Sequence, residues 1–175
     1  MDISSIHSLI KSYSNHKKGV TFYDLMPVYR NPEAFNAIIN KLEWELQTAT
    51  PHMKIVVPET RGIVLGAALA DRLKVPLIIA RKPGRLPGKV IAVRYQTEYS
   101  NEVLEIQRGV ISKGDSVLVV DDVLATGGTL KACIDLIEKS GGVIYRTLTV
   151  LKIASLSRVA SKNLCGYQTH SLLVV

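Results

Sequence analysis

The run Val117-Leu118-Val119-Val120-Asp121-Asp122-Val123-Leu124-Ala125-Thr126-Gly127-Gly128-Thr129-Leu130 constrains this chain more than any other stretch. Val117 to Val120 form an unbroken aliphatic run, which reads as a strand buried on both faces, as in parallel sheets. Ala125 to Thr129 are small or glycine, and helical apolar spacing follows from about Gly128 to Ser140, stopped by Gly141-Gly142. A strand, a tight turn of small residues and a helix make one βα unit, so the chain is expected to be α/β.

The same run predicts chemistry. In open α/β sheets, ligands bind at the carboxyl ends of strands. A strand over 116–120 delivers Asp121 and Asp122 to that edge, where adjacent carboxylates repel unless something bridges them. Ribose hydroxyls can do so as donors, and a Mg²⁺ ion can share the site. Ala125-Thr126-Gly127-Gly128-Thr129 then wraps a helix N-terminus. Small residues let backbone N–H groups close on a phosphate, the two threonines add hydroxyl donors, and the helix end adds positive potential. The run therefore reads as a ribose 5-phosphate site. Two other phosphate motifs are excluded, because neither G-x-x-x-x-G-K-[ST] nor G-x-G-x-x-G occurs.

Elsewhere the elements alternate. Ile3, Ile6, Leu9 and Ile10 show helical spacing within 3–13. Asn31-Pro32-Glu33 opens a helix with a cap, a first-turn proline and an acid, and Phe35, Ile38, Ile39, Leu42 and Leu46 share its apolar face. Strands are expected at 54–57, 75–80, 144–153 and 171–175, with helices at 62–73 and 156–160. Residues 81–101, broken by Pro83, Gly84, Pro87 and Gly88, read as irregular, with weak alternation at 90–93. A chain of 175 residues without an internal linker is expected to be a single domain over 1–175, the first 30 residues forming a small cap.

Charge is informative once located. Arg72, Lys74, Arg81, Lys82, Arg85, Lys89 and Arg94 lie in a stretch without Asp or Glu, and these seven cations equal the net charge of +7. Concentration in one Gly/Pro-rich segment suggests a site for a compact polyanion, the alternative being a solvated basic loop. No apolar run reaches the roughly 18 residues of a membrane span. Cys133 and Cys165 lack metal-ligand spacing, so buried thiols in a reduced, cytoplasmic setting are expected.

The 117–130 run resembles the phosphoribosyl-pyrophosphate (PRPP) motif of type I phosphoribosyltransferases, and from about Gly19 onward the chain is similar to the adenine phosphoribosyltransferase family. The resemblance implies a central, mostly parallel sheet flanked by helices, an N-terminal hood over the base site (1–30) and a flexible catalytic lid (82–101). It assigns Asp121, Asp122, Ala125, Thr126, Gly127, Gly128 and Thr129 to the ribose and phosphate of PRPP. Glu59-Thr60-Arg61-Gly62 resembles the pyrophosphate loop, in which Arg61 contacts the leaving group. Residues 79–88 resemble the family's R-K-x-G-K-L-P-G stretch, which implies that Arg81, Lys82 and Arg85 bind pyrophosphate and that a basic residue reaches a neighbouring subunit of a homodimer. Glu98-Tyr99 before Leu104-Glu105-Ile106 resembles the E-Y…L-E-I pattern, making Glu98 the candidate for proton transfer and Glu105 structural. Gly19-Val20-Thr21-Phe22-Tyr23-Asp24 resembles the element that reads the base. Phe22 would then stack on the purine, Thr21 would lie at its edge, and Ile153 would cover its other face. The pattern departs from the family at Asn15-His16, Tyr23 and Met26, all in the base-reading segment.

The implied reaction is adenine plus PRPP giving AMP plus pyrophosphate. Mg²⁺ is the cofactor, held mainly through PRPP, with Asp121 or Asp122 as candidate ligand. Neither nucleic acid nor membrane is an expected partner. Two alternatives share the donor site: a 6-oxopurine (hypoxanthine or guanine) transferase and a PRPP-sensing regulator.

Overall fold

A computed structural model describes residues 2–17, 20–46, 52–96 and 101–175. The chain divides into two compact units, Met1–Glu45 and Leu46–Val175. The 1–30 segment read as a cap falls within the first unit.

That unit contains α1 (Ile3–Leu9), β1 (Lys11–Lys17), β2 (Val20–Asp24), α2 (Met26–Tyr29) and α3 (Pro32–Trp44). Asp2 caps α1 by accepting from the Ser5 amide at 2.8 Å. The helix stops at Leu9, short of the helical spacing read to 13, because Lys11 to Lys17 pair antiparallel with β2. In α3 the Asn31 cap accepts from the Ala34 amide at 3.1 Å. Ile38, Ile39 and Leu42 on the expected face are buried, and Phe35 packs edge-on against Tyr29.

The second unit contains β3 (Met53–Pro58), α4 (Gly62–Leu73), β4 (Leu77–Ala80), β5 (Val90–Gln96), β6 (Asn101–Gln107), β7 (Ser116–Leu124), α5 (Gly128–Lys139), β8 (Val143–Lys152), α6 (Ser157–Asn163) and β9 (Thr169–Val174). Its main sheet is wholly parallel in the order β4-β3-β7-β8-β9. Val56 and Val57, adjacent on β3, face opposite sides. Val57 meets α4, where a Cβ on Gly66 would lie 2.2 Å from a Val57 methyl. Val56 joins Val117, Val119, Leu130, Cys133, Ile134 and Ile137 in the apolar cluster under α5.

Two features depart from expectation. Residues 90–96 and 101–107, within and beyond the segment read as irregular, form an antiparallel hairpin whose Val93, Leu104 and Ile106 enter that same cluster. The alternation at 90–93 is weak because Val90 and Ala92, on the side opposite buried Val93, are themselves apolar; polar residues take that side only from Arg94 and Gln96 onward. Strand β7 also runs four residues past 120, so both aspartates lie inside it, Asp121 in register with Thr149 of β8. Asp is a poor strand former, but β8 supplies the ladder. The pairing of β7 with β3 ends at Val119. Beyond that residue one side of β7 is open, at the point where the strand order reverses.

Candidate functional site

The crevice at that reversal lies between the carboxyl ends of β3 and β7, where doubly wound sheets place ligands. From β3 comes Pro58-Glu59-Thr60-Arg61, followed by Gly62 at the start of α4; from β7 come Asp121, Asp122 and the turn into α5. The Arg61 Nε donates to Asp122 Oδ2 at 2.9 Å. The arginine side chain is 46% exposed and the carboxylate 3%, so the pair presents a cation to solvent over a buried anion.

Asp121 is buried beside it, with Oδ1 accepting from the Asp122 amide at 2.9 Å. A Cβ on Gly62 would stand 3.1 Å from that oxygen, so glycine lets α4 begin directly over the carboxylate. Burial, and next the Asp122 charge, push the Asp121 carboxyl well above its usual range. Burial also raises Asp122, against the pull of Arg61. The two acids therefore hold a proton more readily than exposed carboxylates do, and groups that donate hydrogen bonds to them would relieve the cost.

The turn from Ala125 to Gly127 carries the chain into α5, with Gly127 at φ +81° as its cap. It is backed from α6: Asn163 Nδ2 donates to the Thr126 carbonyl at 2.9 Å, and Leu164 packs at Gly127. The hairpin closes on it from the other side. A Cβ on Gly128 would fall 2.4 Å from the Gln96 carbonyl oxygen, and the Tyr95 hydroxyl is hydrogen-bonded to the Thr129 side chain. Burial first, and nearby negative charge including Asp121, raise the Tyr95 phenol.

The cations of the 81–85 segment are anchored by an acid from the facing loop. Glu59, 4% exposed, accepts from Arg81 Nε at 2.9 Å and the Lys82 amide at 2.8 Å, and pairs with Arg85 at 3.5 Å. Burial opposes its ionisation, but the Lys82 amide and the two guanidinium groups outweigh that and hold its carboxyl below the usual range. Lys82 pairs with Glu102 at 3.4 Å. Glu105 serves the structural role expected, exchanging backbone hydrogen bonds with Arg81 and accepting from the Gly84 amide.

Arg61, Asp121, Asp122 and the 125–129 turn are thus brought together, and Arg81, Lys82 and Arg85 gather on Glu59 and Glu102. Ile153, half-buried, follows β8 and donates its amide to the Leu124 carbonyl at 3.0 Å. Thr21 and Phe22 lie on β2 in the first unit. Glu98, with Tyr99, lies outside the described residues. Two residues have roles that the sequence did not assign. Glu59 enters the sequence reading only as part of the Glu59–Gly62 motif, and with Asp71 standing between it and the acid-free basic stretch no local signal pairs it with Arg81 and Arg85. Tyr95 had none beyond a half-polar strand. One expectation fails: Cys133 is buried, but Cys165 is exposed because it follows α6 in a surface turn.

Among the described residues no group of three or more His, Cys, Asp or Glu side chains could hold a metal ion, and no helix is long and apolar enough to cross a membrane.

Comparison with known proteins bears on this geometry. Residues 27–164 match the family model described as the phosphoribosyl transferase domain. A protein named adenine phosphoribosyltransferase from Mycoplasmopsis agalactiae is 39% identical over 173 residues, covering 99% of each chain. The crystal structure of adenine phosphoribosyltransferase from Thermoanaerobacter pseudethanolicus superposes with a TM-score of 0.92 at 35% identity, covering 99% of this chain and 100% of that one. The enzyme of the same name from Saccharomyces cerevisiae, crystallised with an imino-altritol bisphosphate and adenine, gives 0.90 at 30% identity, covering 97% of each chain.

Proposed function

The chain belongs to the phosphoribosyl transferase family, and from that premise we infer that it is a purine salvage enzyme. It moves the 5-phosphoribosyl group of PRPP onto adenine, giving AMP and pyrophosphate. One observation carries the reading: Arg61 and Asp122 meet at 2.9 Å across the crevice where the strand order reverses, beside a small-residue turn into a helix. A helix end for one phosphate, two carboxylates for sugar hydroxyls and a forked cation for a second anion match a phosphorylated sugar with a pyrophosphate leaving group. The relatives compared above carry the adenine name, which favours adenine over a 6-oxopurine.

In this reading Ala125, Thr126, Gly127, Gly128 and Thr129 hold the 5-phosphate, and Asp121 and Asp122 accept from the ribose hydroxyls. Arg61 holds pyrophosphate together with Arg81, Lys82 and Arg85. A guanidinium has five N–H donors, so Arg81 and Arg85 can stay pinned to Glu59 and still bind an anion. The bond from C1′ to pyrophosphate oxygen breaks and its electron pair leaves with pyrophosphate. Adenine N9 bonds to C1′ and gives up its proton, for which Glu98 is the proposed acceptor. Thr21, Phe22 and Ile153 are the proposed purine contacts, within a hood over 1–30 and beneath a lid over 82–101 that excludes water. The two carboxylates fit Mg²⁺ arriving with PRPP and held mainly by its phosphates, with Asp121 or Asp122 contributing. When bound, it neutralises charge on the leaving group. A cytoplasmic homodimer, one basic residue of the 81–88 segment reaching the partner's site, completes the proposal.

Incubating the protein with PRPP, Mg²⁺ and adenine, hypoxanthine or guanine in turn tests it. AMP formation with adenine is expected, and product from hypoxanthine alone would overturn the base assignment.

A further inference from the structure

Behind the 125–129 turn, away from Arg61 and the two aspartates, lies a second concavity of about 640 Å³. Its walls are the end of β5, the outer face of α5 and one face of α6, and the turn reaches it only through Thr126 and Gly128. Four cations from these three elements converge there: Arg94, Lys131, Arg158 and Lys162. Among the described residues that line it the one acid is Asp135, which Lys131 takes. Arg94, Arg158 and Lys162 are exposed and make no ion pair among the described residues.

Arg158 and Lys162 stand four apart on α6, where like charges face one another and weaken an isolated helix. Arg94 adds a third positive charge from the hairpin. Such crowding is relieved by an anion with several charges spaced closely enough to meet all three. Phosphoryl oxygens suit it, since arginine forks bind them bidentately and lysine as a point charge. We propose that this basic cavity binds a polyphosphate-bearing small molecule, at a site on the far side of the 125–129 turn that shares only Thr126 and Gly128 with the proposed PRPP site, and that its occupancy is coupled to PRPP affinity. The coupling runs through α6. Its Asn163 lines the cavity and also holds the Thr126 carbonyl, while Leu164, just after it, packs at Gly127. A ligand that draws Arg158 and Lys162 inward moves the backing of the phosphate turn, and linkage requires the effect to be reciprocal.

The full-length protein, saturated with PRPP and excess Mg²⁺ but without adenine, is titrated by calorimetry with inorganic tripolyphosphate and separately with ATP. Saturation removes the donor crevice as a competing anion site. One further equivalent is expected to bind, weakened about tenfold or more in Arg158→Glu/Lys162→Glu and less in Arg94→Ala. The ligand is also expected to shift PRPP affinity in the wild type and not in the double variant. Equal binding of both probes identifies the phosphate chain as the recognised part, and binding of ATP alone identifies a nucleotide. Absence of binding to the PRPP-saturated protein, or unchanged binding in every variant, overturns the proposal. Failure of PRPP itself to bind would count against the proposed function instead, because the cavity is read from the difference between wild type and variants.

Discussion

Gly128→Ala separates two explanations of the same glycine. In the sequence, Gly128 serves close approach of backbone to phosphate; in the structure it also admits the Gln96 carbonyl. An added Cβ would stand 2.4 Å from that oxygen, against an ordinary contact of about 3.4 Å, so the end of the hairpin must retreat by about 1 Å. The obstacle is backbone, and no rotamer change relieves it. Replacing glycine by alanine in a helix interior gains about 0.5–1 kcal/mol, less at a first turn, while overpacking a fitted contact costs roughly 1–3 kcal/mol, so the clash wins. For a protein of this size that is a fall in Tm of about 2–10 °C. The same retreat pulls Tyr95 from Thr129, and a 1 Å error at a binding group can cost up to about 10²-fold, so KM for PRPP should rise about tenfold or more. Thermal unfolding and initial rates against PRPP test both. A raised KM with unchanged Tm would mean that only phosphate approach matters; no change in either would refute the contact.

Asp121→Asn should lose most turnover yet gain stability at neutral pH. The folded carboxyl lies above its unfolded value, so stability falls as pH rises from the ordinary carboxylate range through the folded pKa, and the full penalty stands above it. The gain in Tm should be present at pH 8 and shrink at pH 4, and a loss at pH 8 would contradict it. Tyr95→Phe keeps the ring and removes the bond to Thr129; KM for PRPP should rise about three- to tenfold with Tm nearly constant, and steady-state kinetics would show it. Gly66→Ala drives a methyl to 2.2 Å from Val57, so denaturant unfolding should register a loss of roughly 1–3 kcal/mol while KM for PRPP in the folded fraction stays normal.

What the sequence determined by itself is what short range encodes. The aliphatic run of β7, the small residues at 125–129 and the Asn31 cap declare themselves within a few positions, because backbone conformation and helix capping are local. Those signals were enough for the α/β class, the small-residue turn into α5 and the paired acids at its edge, and the family resemblance added Arg61. The acids at 121–122 marked the edge of the site but hid the last four residues of the strand, whose ladder is supplied by β8 about 28 positions away. Only the tertiary structure decided that β3 and β7 are neighbours, and hence that Arg61 meets Asp122. It alone recruited Glu59 to anchor Arg81 and Arg85, and set the hairpin against Gly128 and Thr129. Those contacts join residues 22 to 61 apart, and no local spacing records them. The order in which strands stack does, because it is set by which apolar faces α4, α5 and the hairpin bury together.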